Sequence, residues 1–226
     1  MMALFSSFAV TEAAQTMKNA LDARQQAMVA ISALSGAGDL AKLETALGKG
    51  LDAGLTVNEI KEVLVQVYAY AGFPRSLNTI TVFQKVLEAR KAQGKNDPEG
   101  KEPSPLPTDR TSLEFGTENQ TRLIGQPVGG GIYEFVPAID QFLKAHLFGD
   151  IFQRDNLDWK HRELATIAIL AAIPGVNPQL QGHLAIGMRN GLTEEQIRAA
   201  ASVVSESLGA DYGDNMNRQI DSVVKR

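Results

Sequence analysis

Two ionisable side chains, a histidine and a glutamate, are the strongest candidates for chemistry in this sequence. His183 stands eight residues before Gly191, and Glu163 lies in a stretch that is otherwise mostly apolar. An imidazole, with an ordinary pKa of about 6.5, suits proton transfer at neutral pH. A carboxylate among apolar residues needs a partner or a raised pKa. These two residues predict a proton-transfer site in which Glu163 orients His183 or relays its proton.

Each candidate also has a purely structural interpretation. His183 is flanked by apolar neighbours and could only satisfy a hydrogen bond in the core. Glu163 could pair with Arg162, Lys160 or another surface charge. Taken alone, the residue types favour the structural interpretation of His183.

The histidine opens one copy of a repeated segment. Residues 46–60 read ALGKGLDAGLTVNEI, residues 183–197 read HLAIGMRNGLTEEQI, and six of the fifteen positions agree at a constant offset of 137. The first position is Ala46 in the early copy and His183 in the late copy. A duplicated unit in which only one copy holds the ionisable group predicts one site per chain.

The elements that must position these residues are all predicted to be helices. Two capping boxes, at Thr56 and Thr193, start helices with apolar residues along one face. Thr11 and Asp158 are further predicted helix starts, and Gly72-Phe73-Pro74 predicts a turn before a helix over 75–92. The other predicted helices cover 39–54, 138–148, 159–173 and the segment leading through His183 to Gly191.

The repeat and the helices together predict an all-α chain with two similar units in a pseudo-twofold arrangement. The first unit covers 11–92 and the second covers 136–226. Residues 93–135 begin with a stretch rich in Pro, Gly and charge and contain no clear period, which is typical of a linker.

Composition excludes several classes of function. A net charge of −4 without a basic cluster argues against nucleic acid as a partner. No apolar run approaches the roughly 20 residues that span a membrane. The N-terminus is a poor signal peptide, so we expect a cytoplasmic protein, with a secreted or periplasmic location left open.

Metal and thiol chemistry are also not expected. His146 and His161 are fifteen residues apart, without metal-ligand spacing, and are interpreted as surface or capping residues. The chain has no cysteine, which removes disulfides, thiolate nucleophiles and Cys-ligated metals. The sequence therefore offers no histidine or cysteine ligand set for a metal.

Three strings resemble the carboxymuconolactone decarboxylase family, which includes the AhpD-like alkylhydroperoxidases. They are Arg162-Glu163, the segment His183 to Ile197, and Tyr70-Ala71-Gly72-Phe73-Pro74. The resemblance covers 22–90 and 158–224, and 137–172 further resembles tandem-repeat members. It implies an all-helical, AhpD-like fold, no cofactor, and a homo-oligomer in which three tandem chains form a ring of six units.

The redox branch of that family carries a CxxC motif four residues ahead of the histidine. The corresponding positions here are Val176 and Gln179. Without thiolates no disulfide cycle is possible, so thiol peroxidase activity is excluded.

The resemblance implies a cofactor-free decarboxylation, or a related proton transfer, on a small carboxylate or lactone. His183 and Glu163 are then the predicted catalytic pair, and Tyr70, Arg75 and Arg162 are the predicted substrate-binding residues. We expect one composite pocket where the halves meet, with Tyr70 or Arg75 near His183. The alternative is a catalytically silent, oligomeric binding or scaffold protein of the same fold, in which the YAGFP string is only a helix end and a turn.

Overall fold

A computed structural model describes residues 20–225, and these residues form helices joined by short turns and one longer connector. The helices are α1 (Ala23–Ala37), α2 (Leu40–Asp52), α3 (Val57–Ala92), α4 (Ser112–Ile124), α5 (Ile132–Phe135), α6 (Pro137–Phe142), a π-helical segment (Leu143–Ile151), α7 (Trp159–Ala171), α8 (Asn177–Arg189), α9 (Glu194–Leu208) and α10 (Ala210–Val224). No strand occurs within 20–225. The predicted all-α fold is confirmed.

The two halves repeat the same helices at the offset seen in the sequence. Helix α8 begins and ends 137 residues after α2, and α9 with α10 repeats the two parts of α3. The two parts of α3 meet at a kink at Gly72, with φ 82° and ψ 164°, and α9 and α10 meet at Gly209, with φ 111° and ψ 161°. Only glycine adopts this backbone geometry readily. The predicted turn after Gly72 is therefore a kink between two helices.

Most predicted helix starts agree with the structure. Thr56 and Thr193 form capping boxes at the starts of α3 and α9, and the side chain of Asp158 caps α7. The predicted start at Thr11 lies outside the described residues. Helix α1 begins after Asp22, whose side chain and that of Gln25 form a third capping box.

Helices α1 and α7 form a close pair that joins the halves. A side chain on Gly36 of α1 would place its Cβ 2.8 Å from the carbonyl oxygen of Ile169 in α7. Each helix also contributes to the hydrophobic core of the opposite half, with Val29 packed among second-half residues and Ala165 among first-half residues. The two repeats therefore share a continuous interface.

The predicted linker, 93–135, contains a packed helix. Within α4, a Cβ on Gly116 would lie 1.6 Å from the carbonyl oxygen of Lys144, so this helix rests directly on the π-helical segment. The contact forms a third hydrophobic cluster, which includes Leu123 and Phe152. Thr111 and Glu114 form a capping box at the start of α4, a local signal that the weak periodicity of the region conceals.

The charged part of the connector covers the start of α3. The carbonyl oxygens of Pro98 and Glu99 accept hydrogen bonds from the amides of Val57 and Asn58, at 3.0 and 2.9 Å. The first amides of a helix have no partner within the helix. The connector therefore supplies acceptors that the helix itself lacks.

Candidate functional site

The imidazole of His183 is hydrogen-bonded to a fully buried carboxylate. Its Nδ1 lies 2.8 Å from Oε2 of Glu163, and the side chains are 13% and 0% exposed respectively. An ionised carboxylate can only accept, so Nδ1 donates and Nε2 is left available to a ligand. The second carboxylate oxygen, Oε1, is buried and has no hydrogen-bond partner among residues 20–225.

A glycine allows α8, which carries His183, to approach α7, which carries Glu163. Gly187 lies one turn after His183, and a Cβ there would stand 3.0 Å from Cδ1 of Ile167 and 3.7 Å from Cβ of Glu163. A larger residue would meet the ends of the Leu192 and Ile167 side chains, at 2.9 and 3.0 Å, and would force them to move. The close approach keeps the imidazole within hydrogen-bond distance of the carboxylate.

The third member of the site, Tyr70, comes from the first half of the chain. Its ring centroid lies 5.1 Å from that of His183, with the ring planes at 90°, which is a favourable edge-on contact. The hydroxyl of Tyr70 is buried and makes no hydrogen bond of ordinary geometry with the part of the chain that the structure describes. The structure thus brings together three of the five predicted site residues, Tyr70, Glu163 and His183.

The hydroxyl of Tyr70 stays protonated. Burial, with the negative charge of Glu163, raises the pKa of Tyr70 well above 10, while the Thr166 hydroxyl and Arg162 act in the opposite direction. The ring touches His183 and the hydroxyl is turned into the interior. Tyr70 is therefore placed to hold the imidazole in position.

Arg162 is not available to a ligand. Its side chain is fully buried and donates to Oε1 of Glu62 at 3.1 Å and to the carbonyl oxygen of Arg154 at 2.8 Å. The expected substrate-binding role does not fit this position, because the guanidinium has no exposed surface. A buried arginine needs a charged partner, and Glu62 of the first half provides it.

Glu62 is the centre of a buried polar network that the sequence analysis missed. It also accepts from Arg154 Nε at 2.7 Å and from Asn156 Nδ2 at 2.9 Å. Burial alone would raise the pKa of Glu62, but the hydrogen bond from Arg154 and the charge of Arg162 outweigh it and hold the pKa below 4.5. Glu62 therefore remains ionised.

One face of α3 carries this network towards the site. Glu62, Gln66 and Tyr70 follow one another at intervals of four residues, and Gln66 donates to the hydroxyl of Thr166 in α7 at 2.9 Å. Residues at this spacing lie on one side of a helix. The polar residues Glu62 and Gln66 stand at spacing that places them on one helix face with buried residues. That pattern is the sequence signal that could have revealed the buried network.

The side chain of Arg75 contacts the end of α1. Its guanidinium donates to the carbonyl oxygen of Gly36, at the end of α1. Of the two residues expected near His183, Tyr70 contacts the imidazole, whereas the recorded contact of Arg75 is with α1. The kink at Gly72 redirects the helix, so Arg75 instead binds the C-terminal end of α1, where unpaired carbonyls favour a cation.

The other two histidines lie outside the site: His146 is exposed, and His161 is half-buried at the start of α7. His161 bonds to Asp158, the residue that caps α7, at 2.8 Å. His146 bonds to Asp150 at 3.0 Å and to the hydroxyl of Tyr68 at 2.9 Å. Within residues 20–225 no group of three or more His, Cys, Asp or Glu side chains is arranged to hold a metal ion.

None of the helices that the structure describes is long and apolar enough to cross a membrane.

Comparison with known proteins agrees with the repeated fold. The sequence pattern that defines the carboxymuconolactone decarboxylase family matches residues 2–85 and 137–211. No curated protein shows significant similarity to the chain. The two matched segments cover most of the chain and correspond to its two helical units. The chain belongs to the carboxymuconolactone decarboxylase family, as a member with two copies of the family unit.

Proposed function

We propose that the protein catalyses a cofactor-free decarboxylation, or a related proton transfer, on a small carboxylate or lactone. The hydrogen bond between His183 and the buried carboxylate of Glu163, at 2.8 Å, carries the proposal. It holds the imidazole in one orientation and leaves Nε2 to exchange a proton with a bound ligand. A carboxylate in this position also stabilises the imidazolium form during the reaction.

The reaction needs a proton donor and no change of oxidation state in the protein. In a butenolide that bears a carboxylate, the bond between that carboxylate and the ring carbon breaks and carbon dioxide leaves. The electron pair moves into the conjugated lactone carbonyl. Nε2–H of protonated His183 then gives its proton to the ring carbon next to the lactone carbonyl. The ring double bond moves to the carbon that lost the carboxylate, and His183 regains a proton from solvent.

The two supporting residues act on His183 and not on the substrate. Glu163 is fully buried, and the hydroxyl of Tyr70 is turned into the interior. Both are therefore proposed as positioning residues, which orient the imidazole through a hydrogen bond and an aromatic contact. Holding a catalytic group in the reactive geometry supplies a large share of rate acceleration.

We further propose that another copy of the chain covers the site. The exposed part of His183 opens to solvent, and five cavities among residues 20–225 are each lined by other residues. An apolar stripe on the connector side is strongly exposed at Ile132, Phe135 and Phe142, and exposed apolar patches commonly mark interfaces. A trimer of 24.4 kDa chains is expected in sedimentation velocity, and Phe135→Glu should weaken it.

The direct test of the reaction uses carboxymuconolactone in deuterated water. The wild-type chain should release one carbon dioxide per substrate and place one deuterium on the ring carbon next to the lactone carbonyl. Mass spectrometry and proton NMR of the product measure both. Release of carbon dioxide without deuterium at that carbon would contradict the assigned protonation step.

One observation favours the competing function, a catalytically silent binding or scaffold protein. The side chain of His183 is only 13% exposed, which leaves a ligand little access to the imidazole in the single chain. A folded, assembled protein that turns over neither carboxymuconolactone nor related butenolide carboxylates would favour the scaffold.

A further inference from the structure

The pseudo-twofold repeat places a second, altered copy of the site in the other half of the chain. The offset of 137 residues relates Glu163 to Gln26 and His183 to Ala46. The same offset relates Tyr70 to Ser207, so each copy takes its third residue from the opposite half. Ala46, Gln26 and Ser207 line one cavity of about 540 Å³ between α1, α2 and α9.

The residues of this copy lack the acid and base groups of the first site and are smaller at two of the three positions. An amide and a methyl stand where the first site has a carboxylate and an imidazole, so Gln26 and Ala46 offer no proton at neutral pH. Alanine and serine are also much smaller than histidine and tyrosine. The cavity therefore lies within the size range of small-molecule sites while lacking the acid–base pair.

The walls of the cavity are largely apolar, and its edge carries two lysines and one carboxylate, that of Glu206 in α9. Ala23, Ala27 and Ala30 present methyl groups along one face of α1, and Val203 of α9 lies opposite. Lys42 and Lys49 of α2 stand among the lining residues. Such a surface fits a molecule with an apolar body and one negative group.

The two lysines differ in the number of contacts that their ammonium groups make with other residues. Lys42 lies 3.3 Å from Asp39 and donates to the carbonyl oxygen of Ser207 at 3.3 Å. Lys49 makes no ion pair with any residue between 20 and 225. Lys49 is thus the cation that remains available to an anionic ligand.

We infer that this cavity is a second, non-catalytic binding site for a small monocarboxylate with an apolar body. The carboxylate contacts Lys49 and the apolar body lies against Ala27 and Ala46. The site is separate from the pair His183 and Glu163 and does not depend on the proposed reaction.

The test follows the alanine methyl groups of the full-length chain by NMR, with octanoate and its neutral analogue octanamide as probes. Octanoate should shift the methyl resonances of Ala27 and Ala46 and bind about fivefold more tightly than octanamide. Lys49→Gln should remove that preference, whereas Lys85→Gln, an exposed lysine away from the cavity, should keep it. His183→Ala should leave octanoate binding unchanged.

Filling the cavity gives an independent check. Ala46→Phe, with its fold verified by circular dichroism, should abolish the octanoate-induced shifts. Three results would overturn the inference: no shift of the Ala46 methyl, equal affinities for octanoate and octanamide, or nuclear Overhauser contacts that place another segment of the chain in the cavity.

Discussion

Nδ1 of His183 and Oε2 of Glu163 lie 2.8 Å apart, and the carboxylate has no exposed surface. The pair joins two neighbouring helices of the second half, and the ring of Tyr70 from the first half contacts its imidazole. His183 is the only histidine in the two repeated segments, 46–60 and 183–197. One residue from each half, Tyr70 and Glu163, contacts its imidazole. This asymmetry places the histidine–carboxylate pair in only one of the two repeats.

Glu163→Gln tests the positioning role of the carboxylate. The amide keeps the shape but cannot stabilise an imidazolium, so kcat on carboxymuconolactone should fall about 100-fold while KM changes little. Steady-state kinetics measure the effect, and the exposed Glu88→Gln serves as the control. An equal fall of kcat in both variants would argue against a specific role for Glu163.

Glu62→Gln should destabilise the fold. The change leaves the fully buried guanidinium of Arg162 without its charged partner, which should lower the free energy of unfolding by about 3 kcal/mol. Urea denaturation measures it. Glu99→Gln breaks only an exposed pair with Lys61 and should cost less than about 1 kcal/mol. Equal losses in the two variants would contradict the account of the network.

The same carboxylate should make stability depend on pH. The pKa of Glu62 is held below its ordinary 4.5 in the folded chain, so the unfolded chain binds its proton first as the pH falls. Its contribution is complete above pH 4.5 and is lost as the pH falls through the folded pKa. Between pH 4.5 and 3, the free energy of unfolding should fall less steeply in Glu62→Gln than in the wild type. Parallel curves for the two chains would refute this.

Gly116→Ala tests whether the connector belongs to the folded body. The new Cβ would stand 1.6 Å from the carbonyl oxygen of Lys144, so the substitution should cost about 3 kcal/mol in thermal or urea unfolding. Gly48→Ala is the matched control. It lies inside α2 with nothing within 4 Å of the new Cβ, so it should stabilise by about 1 kcal/mol. A free energy of unfolding that is unchanged in Gly116→Ala would mean that α4 does not pack as described.

The parts of the structure that could be predicted from sequence are those that depend on neighbouring residues or on the repeat. The capping boxes at Thr56 and Thr193 and the shared offset gave the helix starts and the two similar units. Helix α4 was missed because its one buried face is short and packs through a glycine, Gly116, which carries no hydrophobic signal.

The candidate site also contains residues whose contacts could be predicted from sequence and residues whose contacts could not. The partnership of His183 and Glu163 was expected, because a carboxylate in an apolar helix needs a partner. The positions of Arg75 and Arg162 were not predictable, because each depends on a helix packed from elsewhere in the chain. Arg162 pairs with Glu62 of the opposite half, and Arg75 bonds to Gly36 at the end of α1.

Turnover of carboxymuconolactone by the wild type, His183→Gln and His146→Gln is the most direct measurement of the central claim. His146 is also bonded to a carboxylate, Asp150, but lies at the surface outside the proposed site. The account predicts that kcat/KM falls at least about 100-fold in His183→Gln and stays near the wild-type value in His146→Gln. A His183→Gln variant that remains folded and retains wild-type turnover would contradict it.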